Sequence, residues 1–300
     1  MRRGAGDGPR RQVRDRPPQH PYVAEYRVAR RYAPLALPIL LMAAAGCRRG
    51  HDAGRAARPN EVTLIATDYA FHGPARIPAG LTTLVMENRG AEVHWMELYK
   101  LAAGRALSDF LALAAATRLA DSLPAWITAA GGPGWVGPGQ SSNTTVSLGP
   151  GHYVLVCRFP SPDRVAHLDK GMASELHVIT SAGPAVAEPV ANFTVAVSDS
   201  AFGLSVPITA GSHSIRLENV GSYRHELYIF RLAPGKSIED YWAWERAGLR
   251  GQGPGRPWGG VTPFEAGTRV WFAATFERGE YVFGDESGAG PGIFRQVSVR

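Results

Sequence analysis

Alternating apolar positions open the first patterned stretch of the chain. Val62, Leu64 and Ala66 alternate with other residues, and the same spacing returns at Phe193, Val195 and Val197. A period of two places every second side chain on one face, so both runs predict half-buried strands. Further strand-like runs cover Leu81–Glu87, His94–Leu101, Thr144–Leu148 and Tyr153–Cys157, and later Ser214–Glu218 and His225–Leu232. Two stretches break this pattern. Leu107–Ala120 is rich in Leu and Ala with few breakers, which predicts a helix. Ser237-Ile-Glu-Asp240, ahead of Tyr241 and Trp244, reads as a capping box that opens a second one. Many short strands with few helical residues predict an all-β chain of antiparallel sandwiches.

The strands come in two sets. Residues 62–113 and 193–244 align at a constant offset of 131. Asp68-Tyr-Ala-Phe71 falls on Asp199-Ser-Ala-Phe202, and Asn88-Arg-Gly-Ala-Glu-Val-His94 falls on Asn219-Val-Gly-Ser-Tyr-Arg-His225. The offset then drops to 128 at Tyr153 and Tyr281, and to 121 at Met172 and Ile293, which places deletions in loops. A fixed register over this length predicts an internal duplication. The expected domains are 61–180 and 192–300. Segments 48–60 and 181–191 read as linkers by composition.

Charge changes the picture only at the start. Nine Arg against three acidic residues in 1–46 account for the whole formal charge of +6, so the remainder is neutral and gives no sign of nucleic-acid binding. This basic leader runs into a short apolar stretch, Tyr32–Gly46, and then Cys47. That order predicts a secretory signal over 1–47. Ala45-Gly46-Cys47 resembles a bacterial lipobox, although Ala44 stands where that motif usually has Leu or Val. It implies acylation of Cys47, a membrane lipid anchor, and a periplasmic or cell-surface location. Cys157 is then left without a disulfide partner.

The candidate chemistry lies in the first set. His94 begins a strand, Cys157 closes another in Gly151-His-Tyr-Val-Leu-Val-Cys157, and His167 and Met172 follow in His167-Leu-Asp-Lys-Gly-Met172. An early His, then Cys, His and Met in that order, resembles the cupredoxin (type 1 copper) family. The resemblance implies two tandem cupredoxin-like Greek-key β-sandwiches, each with a short helical insertion, after the signal or lipoprotein leader. It also implies one copper site held by His94, Cys157 and His167, with Met172 as a weak axial ligand. Soft sulfur suits Cu(I), and imidazole suits both oxidation states. Nine residues separate Cys157 from His167, more than the family's usual spacing, so Phe159–Arg164 is expected to bulge outward.

In the second set Asp285 stands at the Cys157 position, glycines fill the stretch matching His167, and Ile293 replaces Met172. Only His225 persists, so no copper is expected there, and His94 could equally serve structure. His51, His72, His152, His177 and His213 read as isolated bystanders. The leading expectation is a non-catalytic copper protein that moves single electrons or holds copper at the cell envelope, served by a redox or copper-delivery partner. In it a solvent-edge His167 would carry the electron. Two alternatives stand beside it. One is a metal-free structural or protein- or glycan-binding module using exposed Trp135, Trp242 or Trp258. The other is a two-domain copper oxidase or nitrite reductase, although the chain has no His-x-His or His-Cys-His motif.

Overall fold

The computed structural model describes residues 58–117, 119, 123–183, 186–249, 252–287 and 292–300. The leader, Cys47, His51 and the glycine stretch opposite His167 lie outside the described residues. The first set contains β1 (Asn60–Thr67), β2 (Ala70–His72), β3 (Arg76–Pro78), β4 (Gly80–Asn88), β5 (Glu97–Leu101), α1 (Leu107–Ala116), β6 (Ile127–Ala129), β7 (Ser141–Leu148), β8 (Gly151–Val156) and β9 (Ala173–Ile179). The second contains β10 (Phe193–Val197), β11 (Phe202–Leu204), β12 (Gly211–Asn219), β13 (His225–Leu232), α2 (Ile238–Arg246), β14 (Gly255–Phe264), β15 (Arg269–Phe276), β16 (Gly279–Asp285) and β17 (Ile293–Val299). The chain is therefore mostly β, as the alternation predicts.

Three sheets form. One has eight strands in the order β11-β10-β12-β15-β7-β4-β1-β2, and it crosses from one set to the other at the Trp271–Thr145 pairing of β15 and β7. The others are β3-β9-β8-β5-β6 and β14-β13-β16-β17. In both sets the opening strand pairs parallel, β1 with β4 and β10 with β12. The alternation decides what each strand buries. Leu64, Ala66, Leu84 and Met86 of the long sheet share one apolar core with Leu98, Leu155 and Leu176 of the five-stranded sheet. Val195 and Leu217 meet Leu227, Ile229 and Phe283 in the same way.

The helices cover outer faces. Phe110 of α1 packs with Tyr99, Leu101, Val154 and Val156, and Tyr241 of α2 packs with Phe230 and Val282. Each starts with a carboxylate accepting a free backbone N–H, from Ala106 to Asp109 and from Ser237 to Asp240. Helix α1 ends at Ala116, short of the expected Ala120. Thr117 is extended, and its hydroxyl and its N–H both bond back to Leu113, closing the last turn early.

The two sets are also joined by the segment Ala130–Val136 lying against β14. Gly134 N–H donates to Gly260 and Thr262 N–H to Gly132, while the Thr262 hydroxyl caps the Met96 carbonyl. This approach needs glycine, because a Cβ at Gly134 would lie 2.6 Å from the Gly260 backbone. Trp135 anchors the junction. It is 5% exposed, its indole N–H donates to the Ile229 carbonyl, and its ring packs on Tyr228 and Phe230. The expectation of an exposed Trp135 is thus corrected, and Trp242 and Trp258 are half-buried.

Candidate metal centre

Three of the four expected ligands meet in the core, and the local sequence shows how. His94 follows the Asn88–Val93 loop. Asn88 donates to the carbonyls of Glu92 and Val136 and accepts the Gly90 N–H, which folds the loop back on itself. Asp68, on the turn after β1, accepts the Ala91 N–H at 2.7 Å and the His94 Nε2 hydrogen at 2.7 Å. Position 90 must be glycine, since a Cβ there would sit 2.2 Å from the Asp68 oxygen. His94 is further fixed by paired backbone hydrogen bonds with Val136.

Cys157 follows directly on β8, and its N–H donates to the Met172 carbonyl. The next nine residues form a closed excursion. Pro160 bridges Ala166, Ser161 N–H donates to Val165, and His167 N–H returns to the Phe159 carbonyl at 2.9 Å. The extra loop length therefore leaves His167 beside Cys157, where it starts a short 3₁₀ turn ending at Lys170. His167 Nε2 bonds Glu92 at 2.9 Å. The other Glu92 oxygen accepts the Tyr69 hydroxyl, and Lys170 donates to the Tyr69 oxygen.

His94, Cys157 and His167 are each fully buried. This corrects the expectation of a solvent-edge His167. The Tyr69 and Phe159 rings lie at 5.0 and 6.1 Å from it, and Glu92 caps its outer nitrogen. Met172 is buried in the same core. Its N–H bonds the His167 carbonyl and its carbonyl accepts from Cys157, so its backbone ties the two together.

The protonation pattern follows from these partners. Burial, the largest influence, holds both imidazoles below their usual pKa, although the Asp68 and Glu92 hydrogen bonds pull the other way. Each ring is then neutral. Its one N–H sits on Nε2 and faces a carboxylate, leaving a lone pair on Nδ1. Those two Nδ1 atoms face each other at 3.0 Å, with Cys157 Sγ at 3.4 Å from His167 Nδ1 and 3.9 Å from His94 Nδ1. Burial pushes the Cys157 thiol up to about 12, against the pull of the Trp95 and Phe159 backbone N–H groups. Its single proton can satisfy one Nδ1. Among the described residues the other lone pair then faces no donor, a costly arrangement in a buried site. A cation between the three atoms would satisfy all of them, and the point equidistant from atoms at these separations lies about 2.0 Å from each, close to a metal–nitrogen bond. The donor set therefore fits a soft or borderline metal ion.

His225 has the same surroundings up to one atom. Its Nε2 bonds Asp199 as His94 bonds Asp68, and Asn219 and Gly221 repeat the loop of Asn88 and Gly90. Its Nδ1, however, meets the Asp285 carboxylate where His94 meets Cys157. Among the described residues His225 belongs to no three-ligand group. Asp68 and Glu92, which set both tautomers, escaped the sequence reading. Asp68 carried a signal, because its repeat partner Asp199 keeps the same distance to His225.

No family model matches this chain, and no curated protein matches it. Among solved structures, the dithionite-reduced auracyanin of Roseiflexus castenholzii is 22% identical, covering 41% of this chain and 99% of its own, with a TM-score of 0.26. A blue copper oxidase from Nitrosomonas europaea is 15% identical over 81% of this chain and 86% of its own, with a TM-score of 0.24. The copper-containing nitrite reductase of Thermus scotoductus is 11% identical over 81% of this chain and 62% of its own, also at 0.24. At these scores the likenesses carry no argument about the site. They do correct one expectation. An oxidase and a reductase stand beside the auracyanin, so a non-catalytic role is withdrawn.

Proposed function

We propose that the chain is a copper protein whose buried site is formed by His94, Cys157 and His167, and that it works in one-electron transfer. The observation that supports this is the convergence of two neutral Nδ1 lone pairs and one thiol, each imidazole braced from behind by a carboxylate. Copper bound there would supply a Cu(I)/Cu(II) couple. The chain's own residues do the rest. Asp68 and Glu92 hold the imidazole tautomers, the Trp95 and Phe159 N–H groups favour the thiolate, and the closed 158–166 loop excludes water. Met172, tied between Cys157 and His167, is proposed as the axial ligand.

The same reading includes two tandem cupredoxin-like domains, 61–180 and 192–300, of which the second lacks the ligand set. It includes export, acylation at Cys47 and a redox or copper-delivery partner at the cell envelope. With His167 enclosed, electrons would leave through Phe159 and Trp95, whose rings meet edge to face at 5.3 Å.

One observation favours a second reading, redox chemistry on a small molecule. A cleft of about 330 Å³ opens where those two rings meet Trp135, Tyr241, Glu226 and Glu286. Burial, then the nearby Asp285, raises Glu226 to about 8, so near neutral pH it is protonated and can give up a proton at that wall.

Titration of the purified protein with Cu(II) tests the main reading. An intense visible thiolate-to-copper band should grow and saturate at the absorbance of one thiolate-bound copper per chain. Copper uptake without such a band would overturn it.

A further inference from the structure

The far end of β8 carries a second convergence of metal-binding side chains, on residues that the sequence presents as isolated. His152 on β8 and His177 on β9 are direct cross-strand partners, and Glu175 lies two residues before His177 on the same face. The two imidazoles stack nearly parallel, with centroids 4.7 Å apart. One donor atom from each of His152, Glu175 and His177 lies within 4.8 Å of the others.

The hydrogen bonding of His152 points to a cation. Its Nδ1 lies 3.1 Å from the Arg105 carbonyl, which can only accept, so the ring proton sits on Nδ1. A neutral His152 then presents its Nε2 lone pair to a Glu175 oxygen at 3.1 Å. That nitrogen is shielded from solvent and, among the described residues, meets no hydrogen-bond donor. A second proton would serve His152 and Glu175 but leave His177 unused. A metal ion uses all three.

From this geometry we infer that His152, Glu175 and His177 form a surface site for a borderline divalent transition-metal cation. Two imidazoles and one carboxylate suit Cu(II), Zn(II) or Ni(II), and Cu(II) should bind tightest. The site is independent of the buried centre. His152 and Cys157 lie five residues apart on an extended strand, about 17 Å. The outer site has no sulfur, so its Cu(II) form should lack the thiolate band.

Cu(II) titration of the whole protein, followed by EPR and visible absorption together, tests this. The expected result is a second equivalent with nitrogen hyperfine structure and no added intense thiolate-to-copper band. In His177→Ala that equivalent should bind at least about tenfold more weakly, since outer-shell partners alone are worth 10–100-fold. In Cys157→Ser it should persist. If it is missing from the wild type, or unchanged in both His177→Ala and His152→Ala, the inference is overturned. If it appears without the thiolate band, this site stands and the buried copper site falls.

Discussion

Cys157→Ser is expected to erase the visible band of the copper-loaded protein and to lower its copper affinity. The loss should exceed the roughly 10–100-fold that outer-shell partners of a metal are worth, because a ligand is removed outright. Serine keeps the size but not the chemistry. Its hydroxyl is a harder donor and ionises far less readily, whereas the thiol is already aimed at both Nδ1 atoms from 3.4 and 3.9 Å. The fold should survive, since the new hydroxyl inherits the Trp95 and Phe159 N–H donors that now face the sulfur. Absorption at a fixed copper load and competition against a chelator would measure both effects. A variant that kept the band would place the sulfur outside the copper shell.

Trp135→Ala should carry the largest cost in stability, about 3–5 kcal/mol, the usual range for truncating a buried aromatic. For a chain of this size that corresponds to a Tm lower by roughly 6–20 °C. The indole is nearly enclosed and donates to the Ile229 carbonyl across the junction between the two strand sets. It also packs on Phe159, which follows Cys157 by two residues. Its neighbour Val136 holds the His94 backbone. The truncation should therefore loosen the metal centre as well as the fold. Trp135→Phe, which loses the hydrogen bond but keeps most of the ring, should cost about 1 kcal/mol from that bond, plus some packing. Thermal unfolding of the two variants checks the ordering, and equal Tm values would contradict it.

Local chemistry is legible in the sequence alone. Alternation at Val62, Leu64 and Ala66 marks a strand because one face is buried and the other is not. Asp240 marks the start of α2 because a carboxylate at that position accepts the Ser237 N–H. The order of His94, Cys157, His167 and Met172 points to a site through its resemblance to the cupredoxin family.

What escaped depends on contacts between distant residues. Glu92 reads as an ordinary loop acid until the 158–166 excursion returns His167 to it. Trp135 reads as exposed because its partners, Ile229 and Phe230, lie in the other strand set. His152 and His177 look isolated because only the β8–β9 register makes them neighbours. The persistence of His225 raised the idea that His94 serves structure alone. The surroundings divide that question: the Asp68 bond is the shared structural part, and Cys157 in place of Asp285 is the difference.

The central claim is that copper is held by the Nδ1 atoms of His94 and His167 and the sulfur of Cys157. X-ray absorption at the copper edge tests it most directly, on the His177→Ala protein loaded with less than one equivalent. The account predicts two nitrogen neighbours near ~2.0 Å and one sulfur near ~2.3 Å, distances typical of such ligands. A copper shell of nitrogen and oxygen alone, with no sulfur, would contradict it.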